Sequence, residues 1–303
     1  MKIDITALFT CLDDFCKLYE ACVHARALPL LKKRLRGGYL SLSEMLLIEV
    51  LYHFSPFKDF KRFYSYGVCK EYRSYFKQVP SYERFVALKQ KMFMPMSLLL
   101  HSLQGEKTGL YFADSTSIKV CRNKRIASHR VFEGLAKRGK STMGWFFGFK
   151  LHLIVNHKGE LMAVRITPAN TDDRNALLKI VEGLQGKCFA DKGYLGKKTL
   201  QELWNKGIHL ITGIRKNMKN YLMPLADKIL LRKRFLIETI FGILKTDMNL
   251  EHSRHRSPIN AFVSILSALI AYTYKKNKPQ IKGLFKTGGM RRGRTIALRK
   301  YIL

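Results

Sequence analysis

The run GLYFADSTSI, Gly109 to Ile118, carries an apolar stretch straight into a carboxylate, Asp114. The run KCFADKGY repeats the device, with Asp191 following Phe189 and Ala190. Each reads as a buried strand that delivers an acidic side chain to the rim of a core. A carboxylate there is costly unless it is paired or holds a cation. Two such strand ends can place a divalent cation at the edge of a sheet. Mg²⁺ takes oxygen ligands and keeps several waters, so a few carboxylates and substrate phosphate oxygens suffice. Two ions ~3.5–4 Å apart, the arrangement suited to phosphodiester chemistry, call for a third carboxylate.

The segment LLRKRFLIETIFGILKTDM supplies one. On a helical wheel advancing ~100° per residue, Leu236, Ile237, Ile240, Ile243 and Leu244 share the far side from Glu238. Arg234, Glu238 and Lys245 fall within about 40° of one another on the near side. Taken alone, this face reads first as an ordinary solvated one with an Arg–Glu pair at i,i+4; the case for a site rests on its coinciding with two carboxylate-tipped strands and an excess of positive charge.

The global charge points to a polyanion. The chain of 303 residues has 55 Lys and Arg against 22 Asp and Glu, a net charge of +33. Each phosphate neutralised by such a surface releases condensed counterions. Membrane binding usually concentrates charge on one amphipathic helix, whereas here it is spread along the chain. No apolar run approaches the ~20 residues that span a bilayer. The start, MKIDITALFTCLDDFC, carries acidic residues and no cleavage site of a secretory signal. Cys11, Cys16, Cys22 and His24 lack the spacing of a zinc ribbon or finger, and the six cysteines read as reduced thiols.

The first hundred residues read as helical. SLSEMLLIEVLYHF opens with Ser41 three residues before Glu44, a capping-box pattern. FSPFKDFKRFYSYGVCKEYRSYFK alternates aromatic and basic residues. It fits a helical bundle with a solvated basic face and also a DNA-end-binding region, readings that are compatible. From Gly109 strands take over. A basic loop containing KRGKS is expected from Cys121 to Gly144, then a hairpin turning at Gly159. A helix starting near Asp172, the strand before Asp191, a helix closed by Gly207 and the strand IHLITG follow. One long helix is expected from about Leu230 and another after Pro258. This order predicts an α/β fold, a mixed sheet flanked by helices. Asp172 and Asp173 read as helix-start residues. His152, alternating with Lys150, reads as a packed or hydrogen-bonded histidine rather than a site residue.

The order of Asp on a first strand, Asp on a fourth and Glu on a later helix resembles the DDE transposases, which have an RNase H-like catalytic core. Arg234, Glu238 and Lys245 match that superfamily's Tyr-x2-Arg-x3-Glu-x6-Lys signature, and Leu231 stands at the Tyr position. FADKGYLGKK and GFKLHLIVN resemble the motifs around the second Asp and its preceding strand. ANTDDRNAL, GIRKNMKN and HSRHRSP are similar to the 982 family of bacterial insertion sequences, within the IS4-like group. The likeness covers roughly Tyr111 to Tyr274.

The resemblance implies that Asp114, Asp191 and Glu238 are catalytic and hold two Mg²⁺ ions, with Mn²⁺ as an alternative. It implies phosphate contacts for Arg234 and Lys245, with Lys192, Arg254 and Arg256 as further DNA-binding candidates. The organisation expected is a helical region at 1–105 binding transposon ends, an RNase H-like catalytic domain at 106–278 and a basic tail at 279–303. The function implied is cleavage of insertion-sequence ends and strand transfer into target DNA. The partners are double-stranded DNA and a second copy in a synaptic dimer or larger assembly, in the bacterial cytoplasm at the nucleoid, with no membrane. A nuclease that cuts without joining and an inactive DNA-binding relic are the rival readings.

Overall fold

The computed structural model describes residues 3–26, 38–142, 144–214, 218, 222–251 and 255–282. Among these, six strands form one sheet. Strand β1 (Leu110–Cys121) runs antiparallel to β3 (Gly144–Asn156) and parallel to β5 (Gly186–Ala190). The other edge of β3 is shared end to end by β2 (Lys137–Ser141) and β4 (Leu161–Pro168), and β6 (Ile208–Thr212) lies parallel to β5. Helices α6 (Asp173–Ile180) and α7 (Lys197–Asn205) connect β4 to β5 and β5 to β6. Three antiparallel strands followed by two parallel ones, with crossover helices, make the core ribonuclease H-like, as expected. Strand β2 falls inside the basic stretch expected to be a loop. Gly139 explains how it packs: a Cβ there would sit 2.3 Å from the Ala169 carbonyl oxygen.

Side-chain alternation sorts β1 between two cores. Phe112, Ile118 and Val120 join one that includes α9 (Phe235–Thr246) and α10 (Pro258–Tyr274). Tyr111 and Ala113 face the opposite way, toward Leu177 and Ile180 of α6 and Leu203 of α7. The hairpin between β3 and β4 turns at Gly159, whose φ is +70°. Any Cβ at that position would lie 2.0 Å from the Pro279 carbonyl oxygen, and the Tyr272 hydroxyl of α10 donates to the Gly159 carbonyl at 2.7 Å.

The N-terminal helices α1 (Ile5–Arg26), α2 (Leu42–Tyr52), α3 (Phe60–Arg62), α4 (Tyr82–Leu88) and α5 (Phe93–Ser102) pack into the first of these cores. The capping box forms: Glu44 N–H donates to Ser41 Oγ at 3.1 Å and Ser41 N–H to Glu44 Oε2 at 2.6 Å. In the aromatic–basic stretch α3 runs into a π-helix, Phe63–Glu71. Phe63, Tyr64 and Phe76 are buried, while Lys61, Arg62, Lys70, Arg73 and Lys77 are exposed. The stretch is thus a helical core with a basic exterior. Behind it a buried pair, Lys89 Nζ to Glu49 Oε1 at 2.8 Å, links the turn after α4 to α2, with the ammonium 4.0 Å above the Phe60 ring. All six cysteines are free thiols. Among the described residues no helix is long and apolar enough to cross a membrane.

The long helix expected from Leu230 is instead two helices, α8 (Leu225–Arg232) and α9. Helix α8 packs on β5 and β6, where Lys187 Nζ grips both Asp227 oxygens at 2.7 and 2.9 Å. Helix α9 packs on β1 and α10. The two apolar stripes have different destinations, so the chain bends at Lys233 and Arg234, where i→i+3 bonds tighten the turn.

One buried side chain ties the N-terminal helices to the end of α9. His53 Nδ1–H donates to the Met248 carbonyl at 2.6 Å, and Nε2 lies 2.7 Å from Ser267 Oγ on α10. Burial pushes the imidazole down to about 3, against the Met248 hydrogen bond and with help from nearby Lys89. A depressed histidine pKa means that the unfolded chain binds a proton the native one refuses, so stability falls as pH drops from about 6.5 toward 3. His53→Gln should lower Tm at pH 7 and flatten the decline of Tm between pH 6.5 and 4. An unchanged decline would show that the ring is not held neutral.

Candidate active site

The two Phe-Ala-Asp runs lie side by side. Phe112 pairs with Phe189 in the parallel β1–β5 ladder, and their rings stack at 5.4 Å between centroids. That register carries Asp114 and Asp191 onto the face covered by α9. Asp114 lies mid-strand, because β1 continues through Cys121, and its side chain is 20% exposed. Asp191 follows the last residue of β5 and begins a tight turn, Lys192–Tyr194; its side chain is 58% exposed. Glu238 stands in the first turn of α9, 54% exposed, because Leu236, Ile237, Ile240, Phe241 and Leu244 take the buried stripe.

All three carboxylates meet the guanidinium of Arg234. Nη1 lies 2.9 Å from Asp114 Oδ2, while Nη2 lies 2.8 Å from Glu238 Oε1 and 4.0 Å from Asp191 Oδ1. The i,i+4 spacing of Arg234 and Glu238 survives the helix break, since Arg234 keeps helical angles of −57° and −24°. The other oxygen of Asp114, Oδ1, accepts the Ser115 N–H at 2.8 Å. Burial pushes the Asp114 carboxyl up to about 6. The Ser115 N–H and Arg234 oppose that rise, and the negative Asp191 and Glu238 add to it.

Lys245, on the same face of α9, reaches the Ser117 carbonyl of β1 at 2.9 Å and Glu251 at 2.8 Å. It pins the helix across the strand. Lys192 is exposed beside Asp191, with its aliphatic stem against Gly213. Arg256 is exposed ahead of α10, within electrostatic reach of Tyr82. Arg254 lies outside the described residues.

Beneath the aspartates, on the opposite face of the sheet, lies a polar layer, of which sequence reasoning did not single out Tyr194. Lys150 Nζ binds Asp173 Oδ1 and the Thr171 carbonyl, both at 2.9 Å. His152 Nε2 is 2.8 Å from Thr167 Oγ1, and burial pushes its ring down to about 4, so it is a packed neutral histidine, as expected. Asp172 caps α6 by accepting the Arg174 N–H. Buried Tyr194 lies against the Ser115 side chain, and its own N–H donates to the Asp191 carbonyl at 3.1 Å. One tyrosine therefore spans both aspartate positions. The available signal was its spacing, three residues past Asp191, together with the strand alternation that turns Ser115 away from Asp114.

Three carboxylates around one point form a hard-oxygen donor set, suited to Mg²⁺ or Mn²⁺. Among the described residues no three His, Cys, Asp or Glu side chains enclose an ion as they stand. The guanidinium supplies the positive charge between them. The donor chemistry fits a divalent ion; the space is held by Arg234.

Asp114 gives a sign-definite stability prediction. Its carboxyl in the fold titrates near 6, above the usual ~3.9 of an unfolded aspartate. The native state is therefore penalised above pH 6, and the penalty fades as pH falls toward 4. In chelator, Asp114→Asn should raise Tm at pH 8, with the gain vanishing near pH 4. A lower Tm at pH 8 would mean that the pair with Arg234 outweighs burial.

A protein-family model described as a transposase DDE domain matches residues 104–258, just over half of the chain. The match runs from the residues before β1 through α9 to the first residue of α10, so it contains Asp114, Asp191 and Glu238. No curated protein matches the chain. With a ribonuclease H-like sheet and its two strand-borne aspartates joined by a helix-borne glutamate inside the matched span, the chain belongs to the transposase DDE domain family.

Proposed function

We propose that this chain is the transposase of an insertion sequence of the 982 type, cutting the ends of its element and joining them to target DNA. The observation that carries the reading is the convergence of Asp114, Asp191 and Glu238 on a single point, at 2.9, 4.0 and 2.8 Å from one guanidinium. Asp114 Oδ2, Asp191 Oδ1 and Glu238 Oε1 are the oxygens that would hold Mg²⁺ or Mn²⁺. A bound divalent pair supplies Lewis acidity toward the attacking oxygen and charge neutralisation at the leaving one.

The protein's own contribution is position and charge. Tyr194 and Ser115 hold the aspartate backbones from below, while Lys245 and the buried stripe of α9 hold Glu238 from above. Arg234, Lys245, Lys192, Arg254 and Arg256 offer cations to the DNA phosphates. Hydrolysis of a phosphodiester at each element end frees a 3′-hydroxyl, which then attacks a target phosphodiester by in-line displacement. Two ends must be brought together, which calls for at least a dimer. The basic exterior of the helices between Lys61 and Lys77 is the candidate surface for the element end.

Glu238→Gln keeps the side chain's shape and removes the charge that holds a hard cation. It should abolish Mg²⁺-dependent strand cleavage. As a half-exposed partner of Arg234, Glu238 should cost well under ~1 kcal/mol of stability when changed. Asp247, which pairs with Lys275 at 3.3 Å away from the triad, is the control: Asp247→Asn should retain cleavage. If Glu238→Gln cleaves normally, the triad is wrong; cleavage without joined product by the parent chain would favour the nuclease reading.

The net charge of +33 predicts steep salt dependence. If ~6–10 phosphates are contacted, affinity for duplex DNA should fall by ~10³–10⁵ between 50 and 200 mM salt. Salt-dependent DNA binding should survive Asp114→Asn, while cleavage is lost. A flat salt titration would remove the polyanion argument.

A further inference from the structure

We propose that Arg234 is an internal counter-cation of the carboxylate site, competing with divalent ions for the same oxygens and surrendering them when a DNA phosphate takes the guanidinium. Ion loading and DNA binding then reinforce each other. The inference rests on the proposed role of Asp114, Asp191 and Glu238 and adds a coupling that this role does not require.

The atoms make the competition direct. Asp114 offers two oxygens: Oδ1 accepts the Ser115 N–H, and Oδ2 accepts Arg234 Nη1–H. Ligation through Oδ2 displaces that hydrogen bond. The same holds at Glu238, whose Oε1 is 2.8 Å from Nη2. Three carboxylates at such separations repel one another, and the Asp114 environment is made worse by the other two. A single guanidinium offsets part of that repulsion; divalent ions offset more. The site is therefore built to want cations, and Arg234 is the weaker of the two kinds.

Arg234 can leave. It sits in the bend between α8 and α9, its guanidinium hangs on a long stem, and its side chain is 21% exposed. A phosphate is a good alternative partner, because the planar fork of Arg binds it bidentately. Lys245, on the same helix face, differs in kind: it holds the Ser117 carbonyl and Glu251, so it braces α9 without occupying the triad. Linkage requires reciprocity: if DNA draws Arg234 away and tightens ion binding, ions tighten DNA binding by the same factor.

The test is Mn²⁺ titration of the full chain by calorimetry, with and without a short DNA duplex, on the parent, Arg234→Ala and Arg234→Gln. Without DNA, both variants should bind Mn²⁺ about tenfold tighter than the parent, within the usual range of coupling factors. Adding duplex should tighten Mn²⁺ binding by the parent about tenfold and change the variants little. In chelator the variants should melt lower than the parent, and Mn²⁺ should raise their Tm by more. Lys275→Gln removes one cation distant from the triad and should shift Mn²⁺ affinity less than twofold. Equal or weaker Mn²⁺ binding by the Arg234 variants, or a parent affinity indifferent to duplex, overturns the inference. Asp114→Asn separates the two levels. If it abolishes Mn²⁺ binding while the Arg234 variants behave as the parent does, the metal site stands and the competition fails. If Mn²⁺ binding survives Asp114→Asn, the metal-site reading fails and the inference falls with it.

Discussion

The parallel register of β1 against β5 is the constraint on which the site depends. Pairing Phe112 with Phe189 buries two stacked rings on one face and brings the following Asp114 and Asp191 up together on that face. A slip of one residue in either strand would turn its aspartate to the α6–α7 side and drive a phenylalanine into the wrong core. The hydrophobic pairing thus does electrostatic work. It sets two like charges near each other, and the rest of the neighbourhood compensates: the Ser115 amide, the Arg234 guanidinium and the bracing Tyr194.

The third carboxylate depends on longer connections. Glu238 is only as well placed as α9. That helix is held by its apolar stripe, by Lys245 on the Ser117 carbonyl, and at its far end by His53 on the Met248 carbonyl. His53 belongs to the N-terminal helices, which share one hydrophobic core with α10 and the α9 face of the sheet. The helical region therefore sets the position of a residue some 185 positions further along the sequence, whatever else it binds. It cannot be treated as an appendage whose removal would leave the site intact.

Much of this was legible in the sequence where local pattern and tertiary demand agree. Alternation in GLYFADSTSI, the capping box at Ser41 and Glu44, the glycine turn at Gly159 and the wheel through Glu238 each specify one local answer, and the packed chain uses it. The divergences come where tertiary packing decides. Strand β2 is written in KRGKS, with no apolar alternation, because it is a ladder partner of β3 whose one buried position is Gly139. The break at Lys233 and Arg234 has no proline or glycine to announce it; it exists because α8 and α9 bury their stripes against different strands. The aromatic–basic stretch could not reveal from spacing alone that Phe63, Tyr64 and Phe76 turn inward. At the triad, the wheel placed Arg234 beside Glu238, but only the bend and the β1–β5 register put its guanidinium among all three acids.

On the proposed reading, that arrangement lets a protein with an excess of 33 positive charges carry an anionic site and still hold DNA. The long-range field, felt over about a Debye length of ~8 Å at physiological salt, is that of the basic surface and draws a polyanion in. The short-range field at Asp114, Asp191 and Glu238 repels a phosphate unless cations stand between. Exposed lysines away from the triad do little to fill that gap, because solvent screens their charge. A residue that neutralises the acids in the absence of DNA and can follow the phosphate in its presence serves both fields in turn. Arg234 is in contact range of all three acids, and its bend at the mouth of α9 gives it somewhere to go. The reach of its side chain thus links attraction at the surface to chemistry at the sheet edge.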